Sequence, residues 1–299
     1  WPYLFCIFRY KVMFFYFNGG VLNPYSYILW RFEPFLYYLA GIETVLLAYG
    51  GDIQDLTRTS NYLFRHAVSK DYPNHKYRIQ KIRKKIDLWT QRSSHVIAGC
   101  DWIEYLYHWD SVLISHFCID EKIIPPIEKC NSSGPFIVLH APNHRTIKGT
   151  QYIEKAITCL KAQGLNIELK IIEKVSNEDI LRQISEADLV IDQLIIGWYA
   201  MFAIEAMSLR KPVICNLRKD FLEFYTQIGL LDTKDCPIIN ASPSNIETKI
   251  KSLYYNREKL SEIGSRGTAY VHKYHSINYI GSHFKKVLCS LGHKPLEYS

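Results

Sequence analysis

The sequence predicts a doubly wound α/β fold, on three observations. Short apolar runs alternate with segments of helical spacing from Gly134 to Asn240, in the order β-α-β-α-β-α-β-α-β. The runs give way to polar or turn chemistry, where a connection must begin. The same alternation, with fewer strands, fills the first half of the chain. Two Rossmann-like domains are therefore expected, residues 1–125 and 134–299. Only three or four strands are visible in the first, so that domain is expected to be incomplete.

In the first half, residues 12–17 read as a buried strand ending in Asn18-Gly19-Gly20, and 44–48 as a second ending in Tyr49-Gly50-Gly51-Asp52. Residues 95–98 are a third, ending at Gly99, and 112–115 a fourth. Helical spacing lies between them at 34–40, 78–89 and 102–107. The stretch 121–134, with Pro125-Pro126 and Asn131-Ser132-Ser133-Gly134, has the chemistry of a linker. In the second half, strands are predicted at 136–139, 167–172, 189–191, 213–215 and 238–239. Helices are predicted at 150–162, closed by Gly164, at 178–186 with Ser176 or Asn177 as N-cap, and at 202–209. The tail, 244–291, reads as helix without a further strand.

Composition supports a packed globular chain. Of 299 residues, 48% are apolar and 22% charged, which excludes extensive disorder. The net charge of +7 fits attraction to phosphates or anionic lipid, and equally a solvated surface with a few extra lysines. One run, Lys76, Arg78, Lys81, Arg83, Lys84 and Lys85, fits a helix with Ile79, Ile82 and Ile86 on another face, and could rest on an anionic membrane. It lacks the interleaved aromatics of a single-strand nucleic-acid platform, and no nucleic-acid partner is expected. The eight cysteines form no CxxC pair and fit neither a zinc nor a disulfide framework, so no metal is expected and a reducing, cytoplasmic compartment is. The apolar opening, residues 1–17, is broken by Arg9 and Lys11 before it could span a bilayer.

Ligands in such sheets bind outside the carboxyl ends of the strands. Three loops sit there. The first, 140–150, leaves a strand and enters a helix, and carries Arg145 and Lys148. Their charges suit a diphosphate, although a polar loop with solvated cations fits the residues alone at least as well. The second, 192–207, places the small residues Gly197 and Ala200 before a helix whose one acid is Glu205. That carboxylate could accept hydrogen bonds from a ribose diol, or lie on a solvent edge. The third, Arg210-Lys211-Pro212, reads as charge compensation at a helix C-terminus.

Taken in order, His140-Ala141-Pro142, Lys148-Gly149-Thr150, Ala187-Asp188-Leu189-Val190-Ile191-Asp192-Gln193, Gly197-Trp198-Tyr199-Ala200, Glu205-Ala206-Met207 and Lys211-Pro212-Val213-Ile214 resemble the C-terminal domain of group-1 (family 4) glycosyltransferases. The resemblance covers about 134–274 and is weaker before that, at Tyr49-Gly50-Gly51-Asp52 and 94–98. It implies the GT-B fold, two Rossmann-like domains facing a cleft, and glycosyl transfer from a nucleotide-sugar to a saccharide or lipid-linked acceptor with retained anomeric configuration. No cofactor or essential metal is implied. Lys148, with Arg145 and Gly149, would hold the donor diphosphate, and Glu205 the ribose. Gly197 and the backbone of Ala200, Met201 and Phe202 would face the phosphate or sugar. The resemblance names no catalytic residue. Gly197 stands where the first acid of the family's paired motif belongs, Ala200 where glycine is common, Tyr49 in place of a histidine, and Pro142 in place of an arginine. A non-catalytic relative and a nucleotide-sugar epimerase remain as alternatives.

Overall fold

The structure, a computed structural model, describes residues 2–23, 28–120 and 134–294. Trp1 and the linker read at 121–134, Gly134 excepted, lie outside them. The chain divides into two compact units. One comprises residues 1–65, 73–113 and 282–299, the other 66–72 and 114–281.

The first unit begins with α1 (Pro2–Arg9), β1 (Val12–Tyr16), α2 (Glu33–Leu39), β2 (Glu43–Leu47), α3 (Tyr62–Asp71), α4 (His75–Arg92), β3 (His95–Gly99) and β4 (Ser111–Leu113). The second half of α3, from His66, belongs to the second unit. The strands pair in parallel in the order β1-β2-β3-β4. Residues of β2 and β3 are almost all buried, as expected of strands covered on both faces. The stretch predicted as helix at 102–107 is instead a 3-10 segment, Cys100–Tyr105, which the left-handed backbone of Cys100 (φ 54) introduces. On α4 the apolar stripe falls where its spacing puts it: Ile82, Ile86 and Trp89 are buried while Lys76, Arg78, Lys81 and Lys84 face solvent. Two cations of that run are held by partners within the unit, Arg83 while still exposed and Lys85 in the interior. Arg83 donates to Asp55 at 2.9 Å. Lys85 is buried with its ammonium on the Asn18 carbonyl, and burial lowers its pKa to about 8.

The second unit is the doubly wound one. Its elements are β5 (Phe136–His140), α5 (Arg145–Lys148), α6 (Thr150–Ala162), β6 (Ile167–Ile171), α7 (Asn177–Glu186), β7 (Leu189–Ile191), α8 (Met201–Ser208), β8 (Val213–Cys215), α9 (Lys219–Gln227), β9 (Ile239–Asn240), α10 (Ile246–Tyr255), α11 (Glu258–His275) and the start of α12 (Ile277–Ser290). All its strand pairs are parallel, in the order β6-β5-β7-β8-β9. Phe136 and Val138 of β5, Leu189 and Ile191 of β7 and Ile214 of β8 pack with Ile153, Ile157 and Leu160 of α6 and Ile246 and Ile250 of α10. Strand order reverses at β5, which pairs β6 on one side and β7 on the other. In a sheet of this kind the ligand is taken outside that reversal, between the loops leaving β5 and β7.

Helix α8 is buried along most of its length and packs on β7, β8, α7 and α11. It can approach α11 closely because α11 presents Gly264 and Gly267: a Cβ on Gly264 would lie 2.0 Å from the Arg210 carbonyl oxygen. Toward the C-terminal end of α11, Tyr199 Oη contacts Tyr270 Oη at 2.7 Å and His275 Nε2 at 2.9 Å, and the Phe117 carbonyl holds the other ring nitrogen at 3.1 Å. Burial lowers the His275 pKa to about 4, so the ring is neutral. Its N–H is given to the carbonyl, which can only accept.

Candidate functional site

The loop leaving β5 is anchored first at His140. The imidazole is fully buried, and burial lowers its pKa to about 4. Nδ1 lies 2.8 Å from the Ile191 carbonyl and must donate to it, so Nε2 accepts from the Thr150 hydroxyl at 2.9 Å. One neutral side chain thus ties β5, β7 and the first turn of α6. The short helix α5 follows. Asp71, at the end of α3, accepts the Ile147 N–H at 2.9 Å, and Tyr72 hydrogen-bonds His144. Gly149 closes α5 in the left-handed region (φ 78), and its neighbours at the Cβ position are Leu194 and Ile195. A larger residue there would be strained and would press on the loop from β7.

The two predicted cations of this loop take different partners. Arg145 is half-exposed. It forms a forked pair with Glu173, 2.7 Å at the shortest, and reaches Glu154 at 3.2 Å. The two carboxylates raise its pKa, and Arg145 in turn lowers that of Glu173. Lys148 turns inward. Its ammonium is 2.6 Å from Asp192 Oδ1, with the lysine side chain 9% exposed and the aspartate 0%. The other oxygen of Asp192 accepts the Ala200 N–H at 3.0 Å, and the Leu194 N–H donates to the Lys148 carbonyl at 3.1 Å. Lys148 therefore stands at the reversal point of the sheet, bracketed to the residue that caps α8.

The loop from β7 to α8 is held from within by Gln193. Its amide nitrogen donates to the Trp198 carbonyl at 2.6 Å, and its oxygen accepts from the N–H groups of Ile195 and Ile196. Asn216 adds a bond to the Leu194 carbonyl at 2.8 Å. Gly197 sits at φ 105, and a Cβ there would lie 2.5 Å from Cδ of Arg218. The Arg218 guanidinium stacks 4.1 Å from the Phe221 ring and pairs with Asp220. An acid at position 197 would need both a strained backbone and a displaced arginine, which gives a physical reason for glycine where the resembled motif has its first acid.

Ala200, Met201 and Phe202, at the start of α8, are half-buried, and Glu205 one turn on is buried. The Glu205 carboxylate accepts from the Asn177 amide at 2.8 Å. Burial raises its pKa and that hydrogen bond opposes the rise. Asn177 is the first residue of α7, while Ser176 is the cap, its hydroxyl accepting the Asp179 N–H at 3.1 Å.

Of the residues singled out from sequence, Lys148, Gly149, Gly197 and Ala200 lie on the two loops that flank the reversal point, and Met201, Phe202 and Glu205 on the helix that follows. Arg145 is on the first loop but is engaged outward. Sequence reasoning gave no site role to Asp192, Gln193, Arg218, Asp71 or Tyr72, and read Asn177 only as a candidate helix cap. The one available signal was Asp192-Gln193, a polar pair directly after three apolar strand residues. Among the described residues, no group of three or more His, Cys, Asp or Glu side chains gathers as a metal site would.

No family model matches the chain, and no curated protein matches its sequence. Solved structures do. Sucrose-phosphate synthase from Thermosynechococcus elongatus has a TM-score of 0.65 at 11% identity, over 97% of this chain and 76% of its own. TarM has a TM-score of 0.57 at 13% identity, and the match spans 95% of this chain but only 58% of TarM. HepE from Anabaena, in complex with UDP-glucose, has a TM-score of 0.55 at 13% identity, over 97% of this chain and 81% of its own. At such identities the likeness speaks to architecture. With its two parallel α/β sheets, the chain has the GT-B fold of these glycosyltransferase structures.

Proposed function

We propose that this chain is a glycosyltransferase that takes a nucleotide-sugar as donor and transfers its sugar, with retention, to a saccharide or lipid-linked acceptor. The observation that carries the reading is the buried Lys148 ammonium at the sheet's reversal point, beside the first turn of α8. Fixed positive charge at that place suits the diphosphate of a donor, and would stabilise the charge that builds on it as the glycosidic bond breaks. Gly149 lets the backbone approach there, and Arg145 can add a second cation by leaving Glu173. Glu205 is placed one helical turn further on and would accept from the ribose diol. Gly197, Ala200, Met201 and Phe202 would face the phosphate or sugar through their backbone. The likeness to a GT-B structure that holds UDP-glucose supports the donor class.

Calorimetric titration with UDP, GDP and several sugar nucleotides tests this. Tight binding of one of them, weakened by Lys148→Ala and by Glu205→Ala, is the expected result. Because the Glu205 pKa is raised, binding that needs its carboxylate should decline with falling pH before an ordinary glutamate would titrate. A folded protein that binds none of these ligands sinks the reading. One specific observation favours a non-catalytic relative instead: the first acid of the motif is replaced by Gly197, under Arg218. Nucleotide binding without transfer to any acceptor would select that reading.

A lipid-linked acceptor would bring the chain to a membrane surface, and the exposed cations of α4 are suited to one. Sedimentation with anionic vesicles, lost at high salt and in Lys76→Glu/Lys81→Glu/Lys84→Glu, is expected. Absence of binding at low salt refutes the contact.

A further inference from the structure

We propose that Asp192 is the positioning residue of the donor site, holding Lys148 ready for the diphosphate. The role rests on the donor-site reading above. Asp192 directly follows β7, is fully buried, and spends both oxygens on the site: one on Lys148, the other on the Ala200 N–H. The two groups it joins come from different loops, one after β5 and one after β7. A lysine side chain free in solution explores many rotamers, and ordering it on binding would weaken the complex. Here that ordering is done in advance. One ammonium N–H goes to Asp192 and two remain for a ligand. The backbone is fixed as well, through the Leu194 N–H on the Lys148 carbonyl and the left-handed turn at Gly149.

A carboxylate beside a phosphate-binding lysine can also act the other way, as an anion that the phosphate must displace. The two roles differ in sign. If Asp192 positions Lys148, Asp192→Asn weakens binding of the nucleoside diphosphate. If it competes, the same substitution strengthens it.

The experiment is calorimetric titration of the full chain and of Asp192→Asn with UDP or GDP, whichever the unmodified chain binds, and with the corresponding nucleoside by competition. We expect the dissociation constant for the diphosphate to rise about tenfold, the size of one charge-assisted hydrogen bond, with the nucleoside unchanged. An equal loss for both ligands would mean a merely structural role, and a gain for the diphosphate would mean competition; either overturns the proposal. A second arm needs only Lys148→Gln, which retains a hydrogen-bonding partner for Asp192. In the unmodified chain the diphosphate should slow hydrogen exchange at the amides of Ala200 and Met201, and in Lys148→Gln that protection should be lost. Full protection in Lys148→Gln would show that the lysine and α8 act independently, and overturns the bracket. Failure of the unmodified chain to bind any nucleoside diphosphate would instead sink the donor-site reading, and this role with it.

Discussion

Lys148→Ala is expected to destabilise the second unit by about 3 kcal/mol, the lower end of the cost of stranding one partner of a buried ion pair. The cost stays at the lower end because Asp192 keeps its bond from the Ala200 N–H at 3.0 Å. The melting temperature should fall by roughly 6 to 12 °C for a unit of this size. Arg145→Ala removes two ion pairs where Lys148→Ala removes one, yet should cost far less, since Arg145 and its partners are solvated. The side-chain exposures, 9% for Lys148 against 50% for Arg145, decide between the two magnitudes. Lys148→Met combined with Asp192→Asn should be less destabilised than Lys148→Met alone, because the second change removes the uncompensated charge. Circular dichroism melts of the four variants make the comparison. Equal losses for Lys148→Ala and Arg145→Ala would contradict the burial on which the site is argued.

The contrast shows what was legible in the sequence and what was not. Strands β5, β7 and β8 were legible because each is a short apolar run with polar chemistry at its ends; Leu189–Ile191 and Val213–Cys215 stand as read. Helix α6 was legible to the residue, since Ile153, Ala156, Ile157 and Leu160 repeat at helical spacing and Gly164 follows. Helix α9 was implied by the alternation but given no bounds, because only Phe221 and Tyr225 are buried on it and charged residues surround them. Glu205 drew notice as the one acid in an apolar stretch, but its partner Asn177 is 28 positions away and no local pattern joins them. Lys148 and Asp192 are 44 positions apart, brought together by the return of the chain beside β5. Partners of buried polar groups are set by strand order, so a linear reading finds the groups and misses the pairs. Gly197 was read as a missing acid; the positive φ and the arginine over it are facts of packing.

Gly264→Ala is expected to be strongly destabilising, against its helical propensity. In an exposed helix, alanine in place of glycine would gain up to about 1 kcal/mol. Gly264 lies within α11, but its Cβ would be placed 2.0 Å from the Arg210 carbonyl oxygen and 2.8 Å from that carbonyl carbon. Backbone atoms cannot rotate out of the way as a side-chain end can, so α11 would have to move off the turn at Arg210 that follows α8. Overpacking of this kind costs about 1–3 kcal/mol, occasionally more, and with backbone as the obstacle the upper end is expected. The consequence reaches the site, because α11 is one of the elements that hold α8, whose first turn faces the proposed donor. Gly281→Ala in α12 is the control: nothing lies within 4 Å of its Cβ position, so the propensity gain should appear there undiminished. Melting curves of the two variants, with nucleotide titration of the first, test the argument. A Gly264→Ala protein as stable as the parent would mean that α11 and α8 have room to part, and that the close glycine contact does not fix the helix beneath the site.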